Sequence, residues 1–120
     1  MNKTILVADD YAGSVSMLQE FLRERGYATF AAADGEEAIQ KAAALLPDLI
    51  ILDIMMPKVD GTEVARALKE NRATKDIPVI FLTALVTKDD ALEIVPGAQM
   101  VCAKPVNYEE LLGMIRKSIG

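Results

Sequence analysis

The residues of this chain that can do chemistry are acids, hydroxyls and amines, because it has no histidine and one cysteine. Without histidine there is no Ser-His or Cys-His nucleophile pair and no His-ligated zinc. Cys102 cannot close an internal disulfide, and its apolar surroundings in sequence are explained by burial as a small hydrophobe. What remains is a set of polar residues that each follow an aliphatic run: Asp9-Asp10 after Thr4 to Ala8, Asp53 after Leu49 to Leu52, Thr83 after Pro78 to Leu82, and Lys104-Pro105 after Met100 to Ala103. Carboxylates gathered in one place repel, and their ionised forms coexist only with a compensating cation or with proton uptake. The hard cation that suits them is Mg²⁺, which keeps several waters and commonly takes one or two carboxylates together with phosphate oxygens. Lys104 adds a positive point charge and Thr83 a hydroxyl donor, the groups that a doubly charged phosphoryl needs around it.

These residues converge only if the runs before them lie side by side in the same direction. With Ala28 to Ala32 there are five such runs, nearly continuous in apolar character, which predicts a parallel sheet covered on both faces. Segments with helical spacing separate them: Val15, Leu18 and Leu22; Ile39, Ala43 and Leu46; Val64, Ala67 and Leu68. A last segment places Tyr108, Leu111, Leu112, Ile115 and Ile119 on one face. Asp34 with Glu37, Asp60 with Glu63 and Asn107 with Glu110 are capping-box pairs that mark helix starts, and Gly26 and Pro47 mark helix ends. The helix after the fourth strand is expected to begin at Asp89 or Asp90 and to stop at Pro96-Gly97, after only about two turns. Alternation of strand and helix in this way gives a (βα)₅ α/β fold with right-handed crossovers. In such a sheet ligands bind beyond the carboxyl ends of the strands, where the polar set falls.

Residues 1–120 read as one domain, without repeat, low-complexity tract, linker or attached effector domain. Hydrophobic residues make up 52% and charged residues 26% of the chain, and no apolar run approaches the roughly 18 residues of a membrane span. Met1-Asn2-Lys3 runs straight into the first strand with no apolar signal region, so a cytoplasmic location is expected. Thirteen basic against eighteen acidic residues leave a net charge of -5, which argues against this domain gripping a nucleic-acid backbone.

In this order, the polar residues make the chain similar to response-regulator receiver domains over essentially its whole length. The family pattern is an acidic pair after the first strand, an acceptor Asp after the third, Thr or Ser after the fourth and Lys-Pro after the fifth; here it reads Asp9-Asp10, Asp53, Thr83 and Lys104-Pro105. The stretch Asp53-Ile54-Met55-Met56-Pro57 followed by Asp60-Gly61 also resembles the family's loop after the acceptor. The resemblance implies a flavodoxin-like doubly wound sandwich with strand order 2-1-3-4-5. It also implies that Asp53 is the phosphoryl acceptor, and that Asp10, Asp53 and the Met55 carbonyl ligate Mg²⁺, with Asp9 ligating directly or through water. Lys104 and Thr83 would hold phosphoryl oxygens, and the Lys104-Pro105 bond would be cis. The implied partner is a sensor histidine kinase or a histidine phosphotransfer protein, since a chain with no histidine cannot carry the phosphohistidine itself. The downstream effector is not readable, and the domain would be a signalling phosphoacceptor that assists its own phosphoryl transfer and not an enzyme acting on another substrate.

Two other readings compete. One is a pseudo-receiver, an interaction module of the same fold that works without phosphorylation. The other is a nucleotide- or flavin-binding protein or a phosphohydrolase, which needs a glycine-rich cradle or an Asp-x-Asp motif that Asp9-Asp10-Tyr11-Ala12-Gly13 does not supply. Met55-Met56 reads as loop packing, with Met55 and Leu85 placed to limit the access of water to the acceptor. The chain departs from the family at Val101, three residues before the lysine, where an aromatic residue is usual. Valine has no ring to move between inward and outward positions, so the response to phosphorylation is expected to run through the loop from Thr83 to Lys88 and the short helix after it. Adding beryllofluoride and Mg²⁺ is therefore expected to shift backbone resonances of that loop and helix, and shifts confined to the strand ends would refute this.

Overall fold

In the computed structural model the described residues are 3–56, 60–84 and 100–120. They form β1 (Thr4–Ala8), α1 (Ala12–Glu24), β2 (Ala28–Ala32), α2 (Gly35–Leu45), β3 (Leu49–Asp53), α3 (Gly61–Glu70), β4 (Val79–Thr83), β5 (Val101–Ala103) and α4 (Tyr108–Ile119). The helix expected at Asp89 or Asp90, its Pro96-Gly97 end and the loop from Leu85 to Lys88 lie outside the described residues. All strand pairs are parallel, and the sheet has five strands in the order β2-β1-β3-β4-β5. This is the flavodoxin-like α/β fold.

Strand alternation divides the core between two faces. Leu6, Ala8, Ile50 and Leu52 pack with Val64, Ala65 and Leu68 of α3 and Ala38 and Ala42 of α2. Ile5, Val7, Leu49, Ile51, Ile80 and Leu82 pack with Val15, Leu18 and Leu22 of α1 and Leu111 and Ile115 of α4. Side chains such as Ile5, Leu6, Ile50 and Ile51 are fully buried, each burial contributing about 1.5–3 kcal/mol. α1 and α4 are further joined by an aromatic pair, Phe21 and Tyr108, with ring centroids 4.8 Å apart, and the Arg25 guanidinium lies 3.9 Å above the Phe21 ring.

Three expectations are corrected in detail. The buried face of α2 is Ala38 and Ala42 with Ile39 packed beside them, whereas Ala43 and Leu46 are exposed. Leu46 is the C-cap, and its left-handed backbone (φ 47) turns it off the helical face just before Pro47. In α3, Ala65 and not Ala67 completes the buried stripe. Asp53 and Thr83 prove to be the last residues of β3 and β4, because pairing continues one residue past the apolar runs: Asp53 stands opposite Leu82, and Thr83 opposite Ala103.

The helix starts behave as their side chains require. Asp34 accepts the Glu37 N–H at 2.8 Å, Asp60 those of Thr62 and Glu63 at 2.9 and 3.1 Å, and Asn107 that of Glu110 at 3.1 Å. Glu37 reaches back beyond its own cap to accept the Ala33 N–H at 2.6 Å, and Lys41, one turn on and 3.5 Å from Glu37, donates to the Ala31 carbonyl of edge strand β2. Gly26, after α1, takes the left-handed conformation expected of it (φ 90).

Hydrogen bonds from Thr62 and Glu63 hold the Asp60 carboxyl below its usual range. A group with a depressed folded-state pKa contributes stability that is present above its ordinary pKa and is lost as pH falls through the folded value. Asp60→Ala is therefore expected to cost about 1 kcal/mol at neutral pH in chemical denaturation. That difference from wild type should shrink as the pH drops below the ordinary aspartate range, while Asp60→Asn, which keeps an acceptor, should cost only a few tenths of that amount. A pH-independent loss in Asp60→Ala would contradict the cap.

Candidate functional site

The carboxyl ends of four adjacent strands supply the site. β1 and β3 are neighbours, so Asp9 and Asp10, directly after β1, come beside Asp53 at the end of β3. One carboxylate oxygen from each of Asp9, Asp10 and Asp53 lies within 4.8 Å of the others. β4 contributes Thr83, fully buried, and β5 leads into Lys104, whose N–H donates to the Thr83 carbonyl at 2.7 Å. The Lys104-Pro105 bond is cis, as the resemblance implied.

The two buried acids are held in the same way. Asp9 is 1% exposed and Asp53 3%. Each takes on Oδ1 the backbone N–H two residues ahead, from Tyr11 and Met55 respectively, both at 3.1 Å. Each takes on Oδ2 the same ammonium: Lys104 Nζ is 3.1 Å from Asp9 Oδ2 and 2.8 Å from Asp53 Oδ2. Lys104 crosses β4 to reach these atoms, and its side chain remains only 27% exposed. Asp10, by contrast, is exposed and gives the acidic cluster an open side.

Burial raises the pKa of the Asp53 carboxyl; the Lys104 and Met55 hydrogen bonds pull it down and the Asp9 charge pushes it up again, leaving it above its ordinary value. For Lys104, burial favours loss of the proton, but hydrogen bonds and charge from Asp53 and then Asp9 outweigh it, and the amine stays protonated. Three carboxyl groups gather around one ammonium, and their donors are hard oxygen atoms with no sulfur or imidazole among them. That donor set fits Mg²⁺.

Every sequence-predicted site residue thus lies at the same edge of the sheet, although Met55 and Met56 part company. Met56 is buried in the core with α3, while the Met55 side chain is 62% exposed, so only Met56 serves the loop packing expected of the pair. Leu85 lies outside the described residues. The lysine bridge to Asp9 as well as Asp53 is not readable in the sequence, which does not say which of Asp9 and Asp10 the sheet buries. Gly61, read in the sequence only as part of a family-like loop, packs directly on the backbone of Asp53 and Ile54.

Comparison with known proteins agrees with this geometry. Residues 5–116 match the family model described as the response regulator receiver domain. The alkaline phosphatase synthesis transcriptional regulatory protein PhoP of Bacillus subtilis is 40% identical over 117 residues, covering 97% of this chain and 48% of PhoP. Response regulator PleD of Caulobacter vibrioides is 38% identical over the same length but only 26% of it is covered, so the chain spans half or less of these curated relatives. Among solved structures, the receiver domain of sensor histidine kinase PA1611 from Pseudomonas aeruginosa, with a magnesium ion coordinated in its active site cleft, superposes with a TM-score of 0.90 at 27% identity, covering 100% of this chain and 99% of that one. Chemotaxis response regulator CheY4 of Vibrio cholerae gives 0.89 at 30% identity over 99% of this chain and 100% of that one. Among the described residues no helix is long and apolar enough to cross a membrane. Fold, acidic cluster and sequence match agree: the chain belongs to the response-regulator receiver domains, signalling modules built around an acidic site of this kind.

Proposed function

We propose that the chain accepts a phosphoryl group on Asp53 from a phosphohistidine of a sensor histidine kinase or histidine phosphotransfer protein, with Mg²⁺ as cofactor. The observation that carries this reading is the convergence of Asp9, Asp10, Asp53 and Lys104 at one edge of the sheet. Asp10 and Asp53, with the Met55 carbonyl and with Asp9 directly or through water, would hold the ion. Its contribution is to neutralise charge on the phosphoryl oxygens.

The chain's own groups do the rest. Burial destabilises the Asp53 carboxylate and makes it the more basic nucleophile, while the Met55 N–H fixes the plane in which it presents its oxygens. As a carboxylate oxygen bonds to phosphorus, the P–N bond of the donor breaks and its electron pair stays on the departing imidazole nitrogen. Lys104, already 2.8 Å from Asp53 Oδ2, then follows the negative charge onto a phosphoryl oxygen, and Thr83 donates its hydroxyl to another. Positioning and charge compensation supply the acceleration, so the domain assists its own modification. The aspartyl phosphate carries more charge than the aspartate it replaces, and that difference is the signal.

Incubation with acetyl phosphate and Mg²⁺ is expected to add the mass of one phosphoryl group to the intact chain, and Asp53→Asn or omission of the metal should abolish the gain. Lys104→Met should slow it by roughly 10²–10³-fold, as loss of one charge-stabilising donor does elsewhere. A wild-type chain that never gains the mass would favour the pseudo-receiver. The exposed Met55 side chain is read as a barrier to water, so Met55→Asn is expected to shorten the phosphoryl lifetime several-fold once the donor is removed, and an unchanged decay rate would count against that role.

A further inference from the structure

We infer that Gly61 positions the acceptor, because the first turn of α3 approaches the backbone of Asp53 and Ile54 more closely than any residue with a Cβ allows. The inference rests on the reading of Asp53 given above. A Cβ on residue 61 would stand 2.7 Å from the Asp53 carbonyl oxygen, 2.7 Å from the Ile54 Cα and 3.2 Å from the Asp53 carbonyl carbon. Ordinary contact between carbon atoms begins at about 3.5 Å. All three atoms belong to the main chain, so no side-chain rotation relieves the clash. Residue 61 lies within α3, where the backbone conformation suits any residue, so the demand for glycine is one of space.

The close approach has a purpose that hydrogen bonds trace. The Gly61 N–H, one of the donors a helix start leaves without an internal partner, donates to the Ile54 carbonyl at 2.9 Å. The Ile54 N–H donates to the Leu82 carbonyl of β4 at 3.0 Å, and its side chain is buried in the core. Ile54 is thus clamped between β4 and the start of α3. The next residue, Met55, is the one whose N–H binds Asp53 Oδ1. A shift of a few tenths of an ångström at residue 54 therefore passes to the group that orients the Asp53 carboxylate and to the Met55 carbonyl.

The test compares wild type, G61A, G113A and the double variant. Gly113 lies in α4 with nothing within 4 Å of an added Cβ, so G113A supplies a stabilising glycine-to-alanine change far from the strand ends. In the double variant, Mg²⁺ affinity by titration calorimetry and the initial rate of phosphorylation by acetyl phosphate are expected to fall roughly 10- to 100-fold, at a melting temperature restored toward that of wild type. The amide of Met55, followed without metal, is expected to shift and lose protection from hydrogen exchange, and G113A alone should match wild type in all three readouts. A double variant with wild-type metal affinity, phosphorylation rate and Met55 amide would overturn the inference, as would one that unfolds outright, which would assign Gly61 to the fold in general. If wild type itself fails to bind Mg²⁺ or take the phosphoryl group, the functional reading fails, and the Met55 amide alone decides the positioning role.

Discussion

The arrangement depends on one ammonium group holding two buried carboxylates. Asp9 and Asp53 come from adjacent strands, are almost wholly removed from solvent, and would repel each other without Lys104 between their Oδ2 atoms. Isolated carboxylates at such burial would neutralise by taking up protons. The bridge favours the charged form of the Lys104 amine and moderates the rise in the Asp53 pKa that burial causes. The site remains electrostatically unfinished, since Asp10 adds a third carboxylate on the open side.

The sheet makes that arrangement possible at little local cost. Parallel strands bring all their carboxyl ends to one edge, and the order places β1 beside β3 so that the acids meet directly. The lysine arrives from the far edge, two strands away from Asp53, and its side chain is long enough to reach both buried acids. The remaining orientation is supplied by backbone: an N–H two residues ahead for each acid, and the start of α3 pressed on the loop after Asp53. Rigid main-chain donors hold a carboxylate more exactingly than flexible side chains, because no rotamer is available for escape.

Much of this was legible before any coordinates. β1 and β2 begin and end where their aliphatic runs do, and three helix caps were marked by an acid or amide with glutamate three residues on, because local side-chain chemistry alone decides them. The buried face of α2 was misread because Ala42, Ala43 and Ala44 are chemically identical, so packing against β1 and β2 had to choose among phases that periodicity could not. Asp53 and Thr83 belong to their strands because ladder pairing, invisible in hydropathy, extends through a polar residue when its neighbour strand continues. Asp60-Gly61 is legible as part of a family-like loop, but how closely Gly61 passes the main chain of Asp53 and Ile54 is a property of tertiary structure that a single sequence does not display.

The pair Glu37 and Lys41 closes part of the flank of β2. An outermost strand normally offers its unused amide and carbonyl groups as a template on which another extended chain can grow. Here a carboxylate and an ammonium on successive turns of α2 occupy the Ala33 N–H and the Ala31 carbonyl. An arriving strand would have to strip both away, and would meet charge where it needed an open ladder. At these two residues, therefore, an approaching protein meets the side chains of α2 and not open main chain.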